Sequence, residues 1–306
     1  MIDSHTHFIP EQVQQWIEEN KTLINAKWIK KNEQTTLLSI NDKWAFPLNE
    51  NFTRTQSFTA AYSSFRKALV SPVPQLFLYD QPVDVTSELV QVYNDALVHL
   101  KAKDATFEGL ATLSLQSPEQ AAKELEQAIQ QGLKGAIVGP GFGERTLADS
   151  FFDPLFEAAN ATQAVLFVHP LLHSDPRLNH SKLPNLIGVP WETTIAAANL
   201  IVQGVLDRYP NITFLLAHGG GFLPYQIGRM SKGFQSWENE FAKLQRTPLE
   251  YAASFYYDSV LWDERTLDYL LEIAGKNQVI PGSDFPFELN DWKIDQHKLN
   301  QTPSFL

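Results

Sequence analysis

Short apolar runs alternate with longer amphipathic stretches along most of this chain. Residues 107–113 and 135–138 are rich in apolar side chains, which is typical of strands covered on both faces. Between them, residues 117–120 (Ser-Pro-Glu-Gln) carry the signals of a capped helix start, and Gly132 marks the helix end. A strand, a helix and a second strand in this order predict parallel strands covered by helices.

The same alternation continues through the rest of the chain. It predicts helices from Thr86 to Lys101 and from Thr193 to Arg208, and Asp263 is expected to cap another helix. Predicted strands lie near residues 2, 67, 110, 137, 166, 214, 257 and 280. Eight strand–helix units predict an α/β fold, a closed (β/α)₈ TIM barrel, which typically takes about 250 residues.

The chain has 306 residues, and the excess over a minimal barrel lies mainly after the first strand. There, residues 35–40 and 43–48 flank an Asn-Asp pair that favours a hairpin turn. We therefore expect one barrel domain over residues 1–306, with a small β insertion at approximately 11–55 above the barrel mouth. Length alone would also allow two domains, but no linker or internal repeat divides the chain.

The composition excludes several classes of protein. The chain has eight histidines and no cysteine, so disulfides and thiolate metal ligands are excluded. Its formal net charge of −11 argues against a nucleic acid partner, because phosphate binding requires clustered cationic side chains. Residues 1–7 do not resemble a signal peptide, and no run of about 18 apolar residues predicts a membrane span. We therefore expect a cytoplasmic protein with no membrane partner.

Polar motifs follow four of the predicted strands, at the end where such barrels have their active sites. They are residues 5–7 (His-Thr-His), 169–170 (His-Pro), 218–221 (His-Gly-Gly-Gly) and 283–284 (Ser-Asp). His5 and His7 are two residues apart in an extended segment, so their side chains point to the same side. With His169 and Asp284 they would suit one divalent ion of zinc, manganese or iron. His218 would orient a water on that ion and transfer protons, because its ordinary pKa lies near neutrality.

Each motif alone also has a simpler interpretation. His169 or His218 alone could be a packed or solvated histidine, and Asp284 alone could cap a turn. Ligand-type residues at four separate strand ends favour the metal site over these alternatives. Two interpretations stay open for glycines 219–221, a tight turn and a close approach of the backbone to a ligand.

The other four histidines carry weaker signals. His99 lies on a predicted helix and His297 in a polar segment, so both are expected to be incidental. His173 and His180 lie in the long loop after the fifth strand, from which they could reach a substrate.

Several motifs taken together resemble the amidohydrolase superfamily. They are residues 3–10 (Asp-Ser-His-Thr-His-Phe-Ile-Pro), 167–170 (Phe-Val-His-Pro), 217–221 (Ala-His-Gly-Gly-Gly) and 282–287 (Gly-Ser-Asp-Phe-Pro-Phe). Within the superfamily, the chain resembles the aminocarboxymuconate-semialdehyde decarboxylase branch of the amidohydrolase 2, or amidohydrolase-related, family. The resemblance covers essentially the whole chain and is weakest over residues 11–60.

The resemblance implies one divalent metal, usually zinc and sometimes manganese. The ligands would be His5, His7, His169 and Asp284, and His218 would be the catalytic acid or base. Many hydrolases of the superfamily hold two metals through a carboxylated lysine on the fourth strand. That strand ends here in Ile-Val-Gly, so a mononuclear site is favoured.

The implied activity is metal-dependent, non-oxidative decarboxylation of a small unsaturated or aromatic carboxylic acid, a carbon–carbon lyase reaction. The alternative is a metal-dependent hydrolase of a lactone, ester or amide, in which Asp284 would activate the water at the same mononuclear site. A third hypothesis is a non-catalytic barrel that binds a metal or another ligand. The same ligands serve the first two activities, so the ligand set does not separate them.

The chain departs from this branch at one position of the insertion. The semialdehyde decarboxylases carry there an arginine, just before a proline, that binds a substrate carboxylate, whereas this chain has Phe46 before Pro47. A phenyl ring cannot clamp a carboxylate, so we expect a more apolar or aromatic acid. Its pocket would be lined by Phe8, Phe46, Trp191 and Phe287.

Three arginines are candidates for binding the substrate carboxylate. Arg54 and Arg177 could replace the missing arginine of the insertion. A second family arginine, contributed across a dimer interface, corresponds to Arg229, so the resemblance implies a homodimer. An ordinary surface arginine is the alternative for Arg229.

Overall fold

The structure, a computed structural model, describes residues 1–32, 35–41, 45–172, 175–291, 298–299 and 302–306. His173, His297 and the middle of the predicted hairpin at residues 42–44 lie outside the described residues. In the described part, no helix combines the length and the apolar character that a membrane span requires.

The described chain consists of short strands and helices that alternate over most of its length. The strands are β1 (Ile2–His7), β2 (Ala26–Lys30), β3 (Thr36–Ile40), β4 (Phe46–Leu48), β5 (Lys67–Ser71), β6 (Phe107–Ala111), β7 (Gly135–Val138), β8 (Gly141–Phe142), β9 (Arg145–Thr146), β10 (Val165–Val168), β11 (Thr213–Leu216), β12 (Tyr256–Asp258) and β13 (Val279–Ile280). The helices are α1 (Glu11–Glu19), α2 (Glu50–Thr53), α3 (Thr55–Ala61), α4 (Val83–Lys103), α5 (Pro118–Gln130), α6 (Asp153–Thr162), α7 (Val189–Val202), α8 (Val205–Arg208), α9 (Leu223–Ser236), α10 (Glu238–Phe241), α11 (Pro248–Ala252) and α12 (Glu264–Ala274).

Eight strands form one parallel sheet in the order β1-β5-β6-β7-β10-β11-β12-β13. The predicted (β/α)₈ barrel is therefore confirmed, including all eight predicted strand positions. Every residue of β7 and β10 is buried, which explains their apolar runs, because helices cover one face of the sheet and the barrel core covers the other.

Backbone hydrogen bonds between β1 and the segment after β13 close the barrel. Ser4 N donates to Pro281 O at 2.7 Å, and Asp284 N donates to His5 O at 2.9 Å. Below them, the buried Asp3 carboxylate accepts from Ser283 N at 3.0 Å. We call this set of hydrogen bonds between β1 and the segment after β13 the barrel seam. It holds together the two segments that supply His5, His7 and Asp284 to the mouth of the barrel.

The predicted helices are present, with three differences. Asp263 caps α12 by accepting from the two amides that follow Glu264, as expected. Ser117 precedes α5 but makes no side-chain cap hydrogen bond, so that part of the prediction is wrong. The helix predicted from Thr193 to Arg208 starts earlier and is split into α7 and α8, because Gly204 takes a left-handed conformation with φ +67°. Finally, α4 extends the predicted helix at both ends.

The segment between β1 and β5 holds a small antiparallel sheet and three helices. Thr36 pairs with Leu48, and Leu38 pairs with Phe46, so the predicted hairpin is confirmed for its described residues. A third strand, β2, pairs with β3 and was not predicted. Its sequence Ala-Lys-Trp-Ile-Lys buries only Ala26, so it lacks the alternation that identifies a half-buried strand. The two-residue strands β8 and β9 were also too short to predict.

A buried glutamate lies among three lysines at the end of the barrel opposite the mouth. Glu108 accepts from Lys67 Nζ at 2.8 Å, and Lys101 Nζ lies 2.7 Å from its other oxygen. Lys134 Nζ lies 4.0 Å away. Burial opposes ionisation of Glu108, but these lysines outweigh it and lower the pKa of the carboxyl.

Glu108→Gln should lower the free energy of unfolding at neutral pH by about 1.5–3 kcal/mol, the range for hydrogen bonds to charged groups. The folded pKa is lowered, so the contribution of Glu108 is full above its unfolded pKa of about 4.3 and is lost as the pH falls through the folded value. Urea unfolding at neutral and acidic pH measures this difference. Glu50→Gln, in an exposed pair with Arg54, is the control expected to change little. Equal stability of Glu108→Gln and wild type at neutral pH would contradict the prediction.

Candidate metal centre

Four side chains from three strand ends converge at the mouth of the barrel. They are His5 and His7 on β1, His169 directly after β10, and Asp284 shortly after β13. One potential ligand atom from each lies within 4.8 Å of the others. His5 Nε2 is 3.0 Å from His7 Nε2, and Asp284 Oδ1 is 3.3 Å from the first and 3.4 Å from the second. The structure therefore brings together all four predicted ligands in an arrangement that could hold one metal ion.

The outer nitrogen of each imidazole faces a hydrogen-bond acceptor, which determines its protonation. His7 Nδ1 is 2.9 Å from Pro72 O, and His169 Nδ1 is 2.9 Å from Pro170 O. His5 Nδ1 is 2.6 Å from a carboxylate oxygen. Because carbonyl and carboxylate oxygens only accept, each Nδ1 carries the proton and each Nε2 presents a lone pair.

These lone pairs are arranged to bind a divalent cation. His169 Nε2 is buried and has no hydrogen-bond partner among the described residues. The nitrogen atoms of His5 and His7 would face each other at 3.0 Å without a proton between them. Such a cluster is unfavourable unless a cation sits at its centre, and neutral imidazoles with one carboxylate suit zinc, manganese or iron.

The pKa shifts within the cluster also indicate how charge is distributed among the four side chains. Burial and the neighbouring imidazoles hold the pKa of His169 well below its usual value. Burial opposes ionisation of Asp284, but the nearby histidines outweigh it and lower its pKa. Burial also disfavours charge on His5, yet Asp284 and Asp258 together raise its pKa. The two carboxylates thus favour positive charge at His5, whereas burial and the other imidazoles keep His169 neutral.

His218 lies beside the cluster rather than within it. Its Nε2 is 4.0 Å from Asp284 Oδ2, and its ring centroid is 5.3 Å from those of His5 and His169. Burial and the charge of His5 lower the pKa of His218. Its Nδ1 is buried and has no partner among the described residues. This position allows His218 to exchange a proton with a molecule bound next to the ion.

The three glycines after His218 form a tight turn with positive φ angles. A Cβ at Gly219 would come within 2.6 Å of Leu261, and one at Gly220 within 2.6 Å of Tyr257. A Cβ at Gly221 would lie 2.1 Å from a backbone oxygen of α7. Of the two interpretations that the sequence left open, these contacts support the tight turn.

Asp258, at the end of β12, is a site residue that the sequence analysis did not identify. It is fully buried, and its Oδ2 is the acceptor for His5 Nδ1 at 2.6 Å. The same carboxylate accepts the backbone amides of His218 and Gly219, each at 2.9 Å. The available signal was a carboxylate at the end of a predicted barrel strand, the same signal that identified Asp284.

The end of β7, where two-metal relatives carry a lysine, is closed by Tyr79. Gly139 N donates to Tyr79 Oη at 3.0 Å, and a Cβ at Gly139 would lie 2.9 Å from the tyrosine ring. No side chain can project from this position without displacing that ring. Lys134 lies at the opposite end of the strand, paired with Glu108. The arrangement supports a mononuclear site.

Aromatic rings form one wall next to the cluster. The Phe287 ring is 5.2 Å from that of His7 and is partly exposed. Phe46 and Phe52 pack behind it, at 5.8 and 5.0 Å, and both are buried. Phe8, also expected in the pocket, instead stacks on a core phenylalanine on the other side of β1. Phe52 was not predicted as part of this wall.

The other predicted substrate-binding residues lie outside the cluster. Arg229 is exposed on α9, and the Trp191 ring lies under the Arg177 guanidinium at 5.7 Å. Arg177 is itself paired with Asp175, and Arg54 forms an exposed pair with a glutamate of α2. Neither candidate replacement for the missing arginine therefore reaches the four ligands. His180 is also exposed.

Comparisons with known proteins test the family resemblance that the motifs indicated. The profile of the amidohydrolase family matches residues 2–303. The 2-amino-3-carboxymuconate-6-semialdehyde decarboxylase of Dictyostelium discoideum is 29% identical over 301 residues, which cover 95% of this chain and 82% of that protein. The gamma-resorcylate decarboxylase of a Polaromonas species is 31% identical over 229 residues, 68% of this chain and 69% of that protein. The resemblance inferred from the motifs is confirmed.

A solved structure supports the fold independently. The 5-carboxyvanillate decarboxylase of Novosphingobium aromaticivorans superimposes with a TM-score of 0.81 at 20% identity, covering 99% of this chain and 94% of that one. That protein was crystallised with manganese and 4-hydroxy-3-methoxy-5-nitrobenzoic acid. At this level of identity the agreement concerns the barrel, and the site is argued from the distances above.

Adding Mn²⁺ or Zn²⁺ to metal-free protein should raise its melting temperature and saturate at one ion per chain, because a cation removes the repulsion among the lone pairs. His169→Ala should weaken binding by more than the roughly 10- to 100-fold typical of a lost supporting hydrogen bond. Chelator competition measures the affinity. His99→Ala, at an exposed histidine of α4, is the control. Wild-type affinity in His169→Ala would contradict the assignment.

Proposed function

The chain belongs to the amidohydrolase family, and from this membership we propose that it is a metal-dependent, non-oxidative decarboxylase of a small aromatic or unsaturated carboxylic acid. The observation that carries the proposal is the set of three oriented Nε2 lone pairs and Asp284 around one point, with His218 Nε2 4.0 Å from that carboxylate. The relatives described above, named as decarboxylases of such acids, support the same reaction.

We propose zinc as the resident ion, with manganese or iron as alternatives, held by His5, His7, His169 and Asp284. Three neutral imidazoles and one carboxylate without sulfur suit each of these ions. The bound ion would act as a Lewis acid that stabilises oxyanion charge on the substrate. Tyr79 supports a single ion, because its ring fills the space that a side chain at position 139 would need.

His218 is the proposed proton donor. Its Nε2 lies 4.0 Å from Asp284 Oδ2; burial and the charge of His5 lower the pKa of His218, and the negative charge of Asp284 opposes this only in part. From this position His218 delivers a proton to the carbon that bears the carboxylate. The bond to the carboxylate then breaks, its electron pair restores the double bond that protonation removed, and CO₂ leaves. Solvent returns the proton to His218, so that one proton is consumed for each CO₂ released.

The pocket we propose is apolar on the side of the insertion. Phe287 presents its partly exposed ring beside His7, and Phe46 and Phe52 support it from behind. The insertion, proposed at residues 11–55 within a single domain, thus contributes packing rather than a guanidinium. An aromatic or other unsaturated ring would fit against Phe287.

We further propose a homodimer in which Arg229 binds the substrate carboxylate of the neighbouring subunit. Arg229 is exposed on α9, so its guanidinium can reach a partner subunit. The cluster of His5, His7, His169 and Asp284 contains no arginine of its own that could bind this carboxylate. Trp191 is proposed to line the same pocket, next to Arg177.

Purified enzyme loaded with one equivalent of metal should release CO₂ from members of a panel of aromatic and muconate-type acids. His218→Ala should reduce kcat by about 100- to 10,000-fold, the usual contribution of a general acid, while it keeps the metal. His99→Ala serves as the control for loss of an imidazole. Turnover of lactones or esters without CO₂ would instead favour a hydrolase. An unchanged rate in His218→Ala would refute its role in proton transfer.

Phe287→Ala should raise KM for an aromatic acid by about 10-fold, because it removes roughly 1.5 kcal/mol of apolar and ring contact. The metal affinity should not change, since Phe287 is not among the ligands. Steady-state kinetics and chelator competition separate the two effects. Phe151→Ala, at a partly buried aromatic after β9, is the control. A KM equal to that of wild type would show that the ring does not contact substrate.

A further inference from the structure

One buried carboxylate accepts hydrogen bonds from both the proposed metal ligand His5 and the backbone of the proposed proton donor His218. Asp258 Oδ2 lies 2.6 Å from His5 Nδ1 and also accepts the amide of His218 at 2.9 Å. Its Oδ1 accepts the amides of Gly219 at 2.9 Å and Val260 at 3.1 Å. Both oxygens are therefore saturated by N–H donors, and the residue has no solvent exposure.

We propose that Asp258 is a positioning residue that couples the metal ligand His5 to the turn carrying His218. This inference rests on the proposed function, in which His5 binds the ion and His218 moves the proton. The coupling follows from a shared atom, because Oδ2 accepts from His5 and from the His218 backbone together. A shift of one partner therefore changes the hydrogen bond of the other.

The turn needs this support because its backbone is unusual. His218 has φ +55°, a left-handed conformation that costs free energy for a residue with a Cβ. Gly219 follows with φ +59°. The two consecutive amides converge on Asp258, and the carboxylate stabilises this conformation. The direction of the His218 ring thus depends on an atom that also holds a metal ligand.

The backbone of Gly282 packs closely against both Asp258 and His5. A Cβ at Gly282 would lie 2.9 Å from Asp258 Cβ and 3.0 Å from His5 Cβ. The absence of a side chain at Gly282 allows the aspartate and the histidine to pack this closely. A side chain at position 282 would therefore push against both Asp258 and His5.

Asp258→Asn tests the coupling with little change in volume. The amide nitrogen must occupy one of two positions, and each now accepts from two N–H groups, so a donor would face donors. We expect the Kd for Mn²⁺, measured by chelator competition, to rise about 10- to 100-fold. At saturating Mn²⁺, kcat should also fall by about 10- to 100-fold with KM unchanged, because His218 is displaced while the pocket is intact.

Glu124→Gln is the matched control. Glu124 is another buried carboxylate saturated by donors, namely Ser87 Oγ at 2.7 Å and Ser114 N at 2.7 Å, and it contacts no ligand of the metal centre. The Glu124→Gln variant should be less stable than the wild type, but its Kd for Mn²⁺ and its kcat should be unchanged. If Asp258→Asn behaves like this control, Asp258 has only a structural role and the inference is overturned.

Wild-type protein provides a second test that does not depend on the folding of a variant. Hydrogen exchange at the amides of His218 and Gly219 should slow when Mn²⁺ binds, because the ion orders His5 and, through Asp258, the turn. Unchanged exchange on Mn²⁺ binding would overturn the coupling and leave the proposed function intact. A wild-type protein that binds no Mn²⁺ would overturn both.

Discussion

Three imidazole lone pairs and one carboxylate facing a single point must be balanced by positive charge, and this requirement organises the mouth of the barrel. Each imidazole is held in that state by an acceptor at its outer nitrogen: Pro72 O for His7, Pro170 O for His169 and Asp258 for His5. The acceptors come from different strand ends, so the site exists only when the barrel is assembled. Metal binding and the folding of this end of the molecule are therefore linked.

The hydrogen bonds that close the barrel also position the side chains of the site. Asp3, buried below the cluster, accepts from Tyr62 Oη at 2.7 Å and from Ser283 N at 3.0 Å. It thereby joins Tyr62, the residue that follows α3, to both ends of the barrel sheet. Because Asp284 N also donates to His5 O, the carboxylate ligand and a histidine ligand are placed by adjacent backbone bonds. Fold and site share these hydrogen bonds, and neither can be altered without the other.

Periodicity and strand ends were sufficient to predict the barrel and the ligand set. His5 and His7 follow from the two-residue repeat of a strand, and Asp284 follows from its place after the last strand. Asp258 was missed, although it also ends a strand, because its partners are backbone amides and an imidazole nitrogen from distant segments. Such contacts carry no local sequence signal. The break at Gly204 was missed for a related reason, since apolar spacing continues across it.

The contact between Tyr79 and Gly139 has a consequence for how such enzymes diversify. A lysine at position 139 alone would collide with the tyrosine ring, and a smaller residue at position 79 alone would leave Gly139 N without its acceptor. Passage from one ion to two would therefore require both changes, and each single intermediate would be less stable than its parent. In this chain, the pair therefore favours a site that holds a single ion.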